Sequence, residues 1–96
     1  MTGNVTLSGT VATVNGSRYL QQLCKHWSHR FEVSFDRAQG KVKLPLGELR
    51  LTAMPDGLQI ELTGAKEEDI PRAKEVVASH LDRFAFREAP LDFVWR

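Results

Sequence analysis

KVKLPLGELRLTAMPDGLQIEL, residues 41–62, carries the architecture of this chain. Apolar residues take every second position: Val42, Leu44 and Leu46, then Leu49, Leu51 and Ala53, then Leu58, Ile60 and Leu62. A period of two places one set of side chains on one face of a sheet, so each run reads as a strand with a single buried face. Pro55-Asp56-Gly57 between the last two runs is a hairpin signal, because the glycine accepts a positive φ. Pro45 lacks an N–H and marks an edge or an interruption. Gly47 separates the first run from the second.

The same reading extends in both directions. Upstream, Phe31, Val33 and Phe35 face inward and Glu32, Ser34 and Asp36 outward, with a turn over Asp36–Gly40. Before them lies SRYLQQLCKHWSHRF, residues 17–31. There Tyr19, Leu20, Leu23, Cys24 and Trp27 share one arc of a helical wheel, opposite Arg18, Gln22, Lys25 and His29. This predicts an amphipathic helix of about twelve to fourteen residues ending near Arg30, with Ser17 as its N-cap. Val5, Leu7, Gly9 and Val11 alternate as a first strand, and the phase shift near Ala12 and Val14 marks a bulge or a bend there. Downstream, Glu67, Glu68 and Asp69 suit the positive end of a helix dipole. Pro71 suits its first turn, and Ile70, Ala73, Val77, Leu81 and Phe84 form its apolar stripe. Leu91, Phe93 and Trp95 allow a short last strand. The expected fold is α+β: an antiparallel sheet of four to six strands with two helices packed on one face, in the order β-α-β-β-β-β-α. That order matches the TATA-binding-protein-like topology, an analogy of fold that carries no function.

Ninety-six residues make a single domain, 1–96. Thirteen Lys and Arg against twelve Asp and Glu leave a net charge of +1, without the basic excess of a nucleic-acid binder. The outward strand residues Glu32, Ser34, Asp36, Lys41, Lys43, Arg50, Thr52, Gln59 and Glu61 are mixed in sign and include no aromatic, so a base-stacking platform is absent. The lone cysteine cannot form an internal disulfide. MTGNVTLSGTVATV lacks the basic start and apolar run of a signal peptide, and no segment approaches ~18 apolar residues. A cytoplasmic protein is expected, without nucleic-acid or membrane partners.

The chemistry-bearing residues crowd the first helix, and no complete constellation appears among them. Cys24 on the apolar arc reads as a small buried hydrophobe. The sharper alternative pairs it with His80, at the border of the second stripe, as a thiolate and imidazole. His26 and His29 lie about 60° apart on the helix, near enough to share a metal, but this helix carries no carboxylate and a structural zinc needs four ligands. Tyr19 and Trp27 read as core, with the tyrosine hydroxyl reaching solvent or a backbone partner; lining a cofactor pocket is the alternative. Arg18, Gln22, Lys25, His26 and His29, with Arg83 and Arg87 beyond His80, form a polar helical face suited to an anionic ligand or a partner. No GxGxxG, P-loop, GxSxG or HExxH occurs.

RYLQQLCKHWSHRF, KVKLPLGELRL and VVASHLDRFAFRE, in that order, resemble the bacterial domain of unknown function 2218, from about Thr10 to Trp95. The chain departs from the family's pattern at Ser28, where alanine is expected. The resemblance implies a small α+β bacterial protein associated with siderophore and iron handling, some members standing beside siderophore-interacting, flavin- and nicotinamide-using reductases. It transfers no catalytic residue, and this chain has neither motif nor room for flavin or NAD, so no cofactor is expected. The expectation is a non-catalytic accessory module, monomer or homodimer, partnering a ferric siderophore or its reductase. Two alternatives stand beside it: an enzyme using Cys24 and His80, and a homo-oligomeric module joined through Leu91, Phe93 and Trp95.

Overall fold

The alternating runs become strands and the two stripes become helices in the computed structural model, which describes residues 4–96. The elements are β1 (Asn4–Ala12), α1 (Gly16–Trp27), β2 (Val33–Phe35), β3 (Gln39–Leu44), β4 (Gly47–Met54) and β5 (Gly57–Lys66). A 3-10 turn (Glu67–Asp69), α2 (Ile70–Phe84) and β6 (Phe93–Trp95) complete the chain. All strands join one antiparallel sheet in the order β2-β3-β4-β5-β1-β6. The α+β architecture and its element order are as expected, with six strands.

One sheet face carries the core. Leu49 and Leu51 of β4, Leu58 and Leu62 of β5 and Val11 of β1 are buried against Leu20, Leu23 and Cys24 of α1 and Val77 and Leu81 of α2. Helix α1 lies against β3 and β4. On the last strand Phe93 and Trp95 stack at 5.5 Å, almost parallel. The Trp95 ring rests on Gly9, where an added Cβ would stand 2.5 Å from it. Lys74 of α2 sits over the same ring.

Several local expectations are corrected. Ser17 is not the N-cap: Asn15 precedes the helix, without a side-chain cap bond, and the Ser17 hydroxyl donates to the Arg37 carbonyl at 2.6 Å. Ser17 already lies inside the helix, which begins at Gly16. Helix α1 stops at Trp27, so His29 lies in the following turn. Gly40 belongs to β3, not to the turn before it, because α1 presses there; an added Cβ would stand 2.6 Å from Cys24 Sγ. Asp36 opens that turn as expected, its Oδ1 accepting the N–H groups of Ala38 and Gln39 at 2.7 and 2.9 Å. Near Ala12 the structure has the bend and not the bulge: β1 ends there and the chain turns at Val14 and Asn15, while the register slip in β1 falls between Val5 and Leu7, opposite Gly64 with φ 80°. Phe35 keeps its inward phase but sits at the sheet edge, 37% exposed.

Candidate functional site

With both helices on one face, the other sheet face stays open. Strand alternation places Ser8 and Thr10 of β1, Lys41 of β3, Arg50 and Thr52 of β4, and Gln59 and Glu61 of β5 there. These side chains line a shallow hollow of about 840 Å³, with Phe35 and Asp36 at one rim and Arg96 at the other. Register aligns its floor in two rows. Lys41 opposes Arg50, Arg50 opposes Glu61 and Glu61 opposes Ser8. Gln39, Thr52, Gln59 and Thr10 form the row beside it. Arg50 also pairs with Glu48 at 3.1 Å, and Lys43 with Glu32 at 3.4 Å. Among the described residues, Lys41 and Arg96 form no ion pair.

The polar helical face is also exposed. Arg18, Gln22, Lys25 and His26 project from α1, His29 from the turn after it, Arg83 from the last turn of α2 and Arg87 just beyond. The helices pack side by side, which brings His26 within 5.8 Å of His80, centroid to centroid. Trp27 lies 5.0 Å from His80, and Phe84 lies 5.8 Å from His26. His80 Nδ1 bonds the Val76 carbonyl at 2.7 Å. Cys24 is wholly buried, with Sγ turned to Gly40 of the sheet, and burial pushes its pKa up to about 11. A nucleophilic thiol needs the opposite shift.

A third cluster ties two segments distant in sequence together. Glu88 accepts hydrogen bonds from the Thr13 hydroxyl at 3.0 Å, from Asn15 Nδ2 at 3.0 Å and from the buried Tyr19 hydroxyl. The Tyr19 bond, then the Asn15 bond, hold the Glu88 carboxyl below its ordinary value. Burial, and then the Glu88 partner, raise Tyr19 above its own. Donors of the protein itself occupy this carboxylate, so the cluster acts as a clasp between the β1–α1 loop and the segment after α2.

The profile of a family of uncharacterised proteins conserved in bacteria, DUF2218, matches residues 8–96. The chain belongs to the DUF2218 family. Its fold is similar to the NMR structure of PA4090 from Pseudomonas aeruginosa, with a TM-score of 0.77 and 32% identity over 95% of this chain and 94% of that one. No curated protein matches.

In this DUF2218 chain the structure brings together residues that the sequence pattern kept apart. His80 meets His26 and Trp27, while the Cys24 thiol faces the sheet. Among the described residues no three His, Cys, Asp or Glu side chains converge to hold a metal. The clasp was missed: Tyr19 finds a side-chain carboxylate, not solvent or backbone, across 69 positions of sequence. No local pattern signals such a pair.

Proposed function

We propose that this protein is a non-catalytic binding module that holds an oxygen-rich anionic ligand in the hollow of its open sheet face. A ferric siderophore is the ligand class to which the family resemblance leads. The observation that supports this is the direct opposition of Lys41 and Arg50. Like charges facing each other across strands destabilise a sheet, and an anion lying between them reverses that term. Charge-assisted bonds from both would hold catecholate, hydroxamate or carboxylate oxygens. Thr10, Thr52 and Gln59 supply neutral donors beside them. The volume, about 840 Å³, falls within the roughly 300–1,000 Å³ of small-molecule sites. The siderophore already fills the metal's coordination positions, so the protein need not ligate iron. The helical face, with Arg18, Gln22, Lys25, His26, His29, Arg83 and Arg87, is then free to meet a siderophore reductase, which would bring its own flavin.

The test is an amide NMR titration with gallium-loaded hydroxamate and catecholate siderophores, and separately with purified reductase. Siderophore shifts are expected at Lys41, Arg50, Gln59 and Arg96, and reductase shifts over 18–30 and 80–88. Lys41→Gln or Arg50→Gln should weaken the siderophore by roughly tenfold or more. No shift on the sheet face with either siderophore overturns the reading.

A further inference from the structure

We propose that His26 and His80 form a two-imidazole site for a borderline transition-metal cation of the Zn²⁺ class, across the seam between α1 and α2. The rings come from different helices and are tilted 45° at 5.8 Å, so they are not stacked on each other. A metal about 2.0–2.1 Å from a ring nitrogen lies roughly 3.2 Å from that ring's centroid. Two such rings stand roughly 5.2 Å apart at a tetrahedral angle and 6.4 Å apart in a linear arrangement. The observed 5.8 Å lies between these limits.

The electronic arrangement of His80 agrees. A carbonyl only accepts, so the 2.7 Å bond to Val76 fixes the proton on Nδ1 and leaves the Nε2 lone pair for a ligand. Orientation of a metal-binding imidazole by a backbone carbonyl on its other nitrogen is the usual outer-shell device. Trp27 against His80, and Phe84 against His26, limit the swing of both rings. Imidazole nitrogen suits Zn²⁺, Ni²⁺ and Cu²⁺, and offers little to Mg²⁺ or Ca²⁺. The protein supplies two donors, and the exposure of His26 lets water or an exogenous ligand complete the sphere. This site lies on the helical side and does not depend on the anion reading.

The experiment titrates tag-free, ¹⁵N-labelled protein with ZnCl₂ and NiCl₂, following ring nitrogens in long-range ¹H–¹⁵N spectra and affinity by calorimetry. One equivalent is expected, with the Nε2 resonance of His80 and a ring nitrogen of His26 shifting together. His26→Asn and His80→Asn should each lose roughly tenfold or more in affinity, and His29→Asn less than about twofold. The wild-type ring spectra give the answer even if a variant folds poorly. An effect of His29→Asn equal to that of His80→Asn, an unmoved His80 ring, or no binding at millimolar metal overturns the site.

Discussion

Gly40→Ala tests the packing that separates Cys24 from His80. The new Cβ would stand 2.6 Å from Cys24 Sγ, with Phe35 Cβ at 3.3 Å and Leu20 Cδ2 at 3.4 Å closing off retreat. Normal contact needs about 3.5–4.0 Å, so the thiol must give by about 1 Å. Overpacking of this kind costs about 1–3 kcal/mol. Alanine recovers about 0.4–1 kcal/mol by restricting the unfolded chain, which leaves a net loss of roughly 1–2 kcal/mol. Cys24→Ala alone removes one buried atom and costs about 1 kcal/mol. In the double variant the methyl added at position 40 occupies the space that sulfur vacated. The two losses should therefore not add, and the coupling should favour the double variant by about 1–2 kcal/mol. Urea unfolding of the four proteins, at an unchanged m-value, measures it. Additivity within about 0.3–0.5 kcal/mol would show that the thiol does not face Gly40. It would also return Cys24 to contention as the partner of His80.

Three other outcomes follow from single contacts. The native Cys24 thiol should resist iodoacetamide at neutral pH and react only on unfolding, as read by mass; rapid native alkylation would refute its burial. Glu88→Ala should cost about 1 kcal/mol, the low end for bonds to a charged group because this carboxylate is partly in water. The folded pKa of Glu88 is lowered, so its contribution is complete above the unfolded value of about 4.3 and is lost as pH falls through the folded one. The stability gap between wild type and Glu88→Gln should thus close in acid, and a gap constant from pH 7 to 3 would count against the clasp. Gly9→Ala should lift Trp95 off β1, costing about 1–3 kcal/mol and changing indole fluorescence; an unchanged spectrum would contradict the stacking.

The sheet was legible because its central strands bury one face, and the period of two records that directly. Of the inward set in residues 41–62, Val42, Leu49, Leu51, Leu58, Ile60 and Leu62 are buried, and Leu44, Leu46 and Ala53 are partly buried. The arc of α1 was legible for the same reason, down to the burial of Tyr19, Cys24 and Trp27. What failed was decided between distant segments. Ser17 looked like a cap, but the helix begins at Gly16 and the Ser17 hydroxyl reaches the distant Arg37 carbonyl. Gly40 looked like a turn residue, but the helix needed its missing side chain. At the candidate site, the outward phase of Lys41 and Arg50 was readable. Their opposition was not, because it depends on the β3–β4 register, which the turn at Pro45 and Leu46 sets.

That opposition separates stability from binding in a way one residue can test. Lys41 faces Arg50 directly, and Arg50 is shared with Glu48 and lies opposite Glu61. If Lys41 served only the fold, its removal would be neutral or harmful. If it is kept for an anion, Lys41→Gln removes a repulsion from the free protein while removing a contact from the complex. The free variant should then gain about 0.2–1 kcal/mol at low ionic strength. Salt should shrink the gain, since a Debye length near 3 Å at about 1 M screens exposed charges. Urea midpoints at about 10 mM and 1 M NaCl, read beside gallium-siderophore titrations, give both terms from one protein. A variant that is less stable at low salt and binds as tightly as wild type would remove Lys41 from the site, and with it the charge argument for the open sheet face.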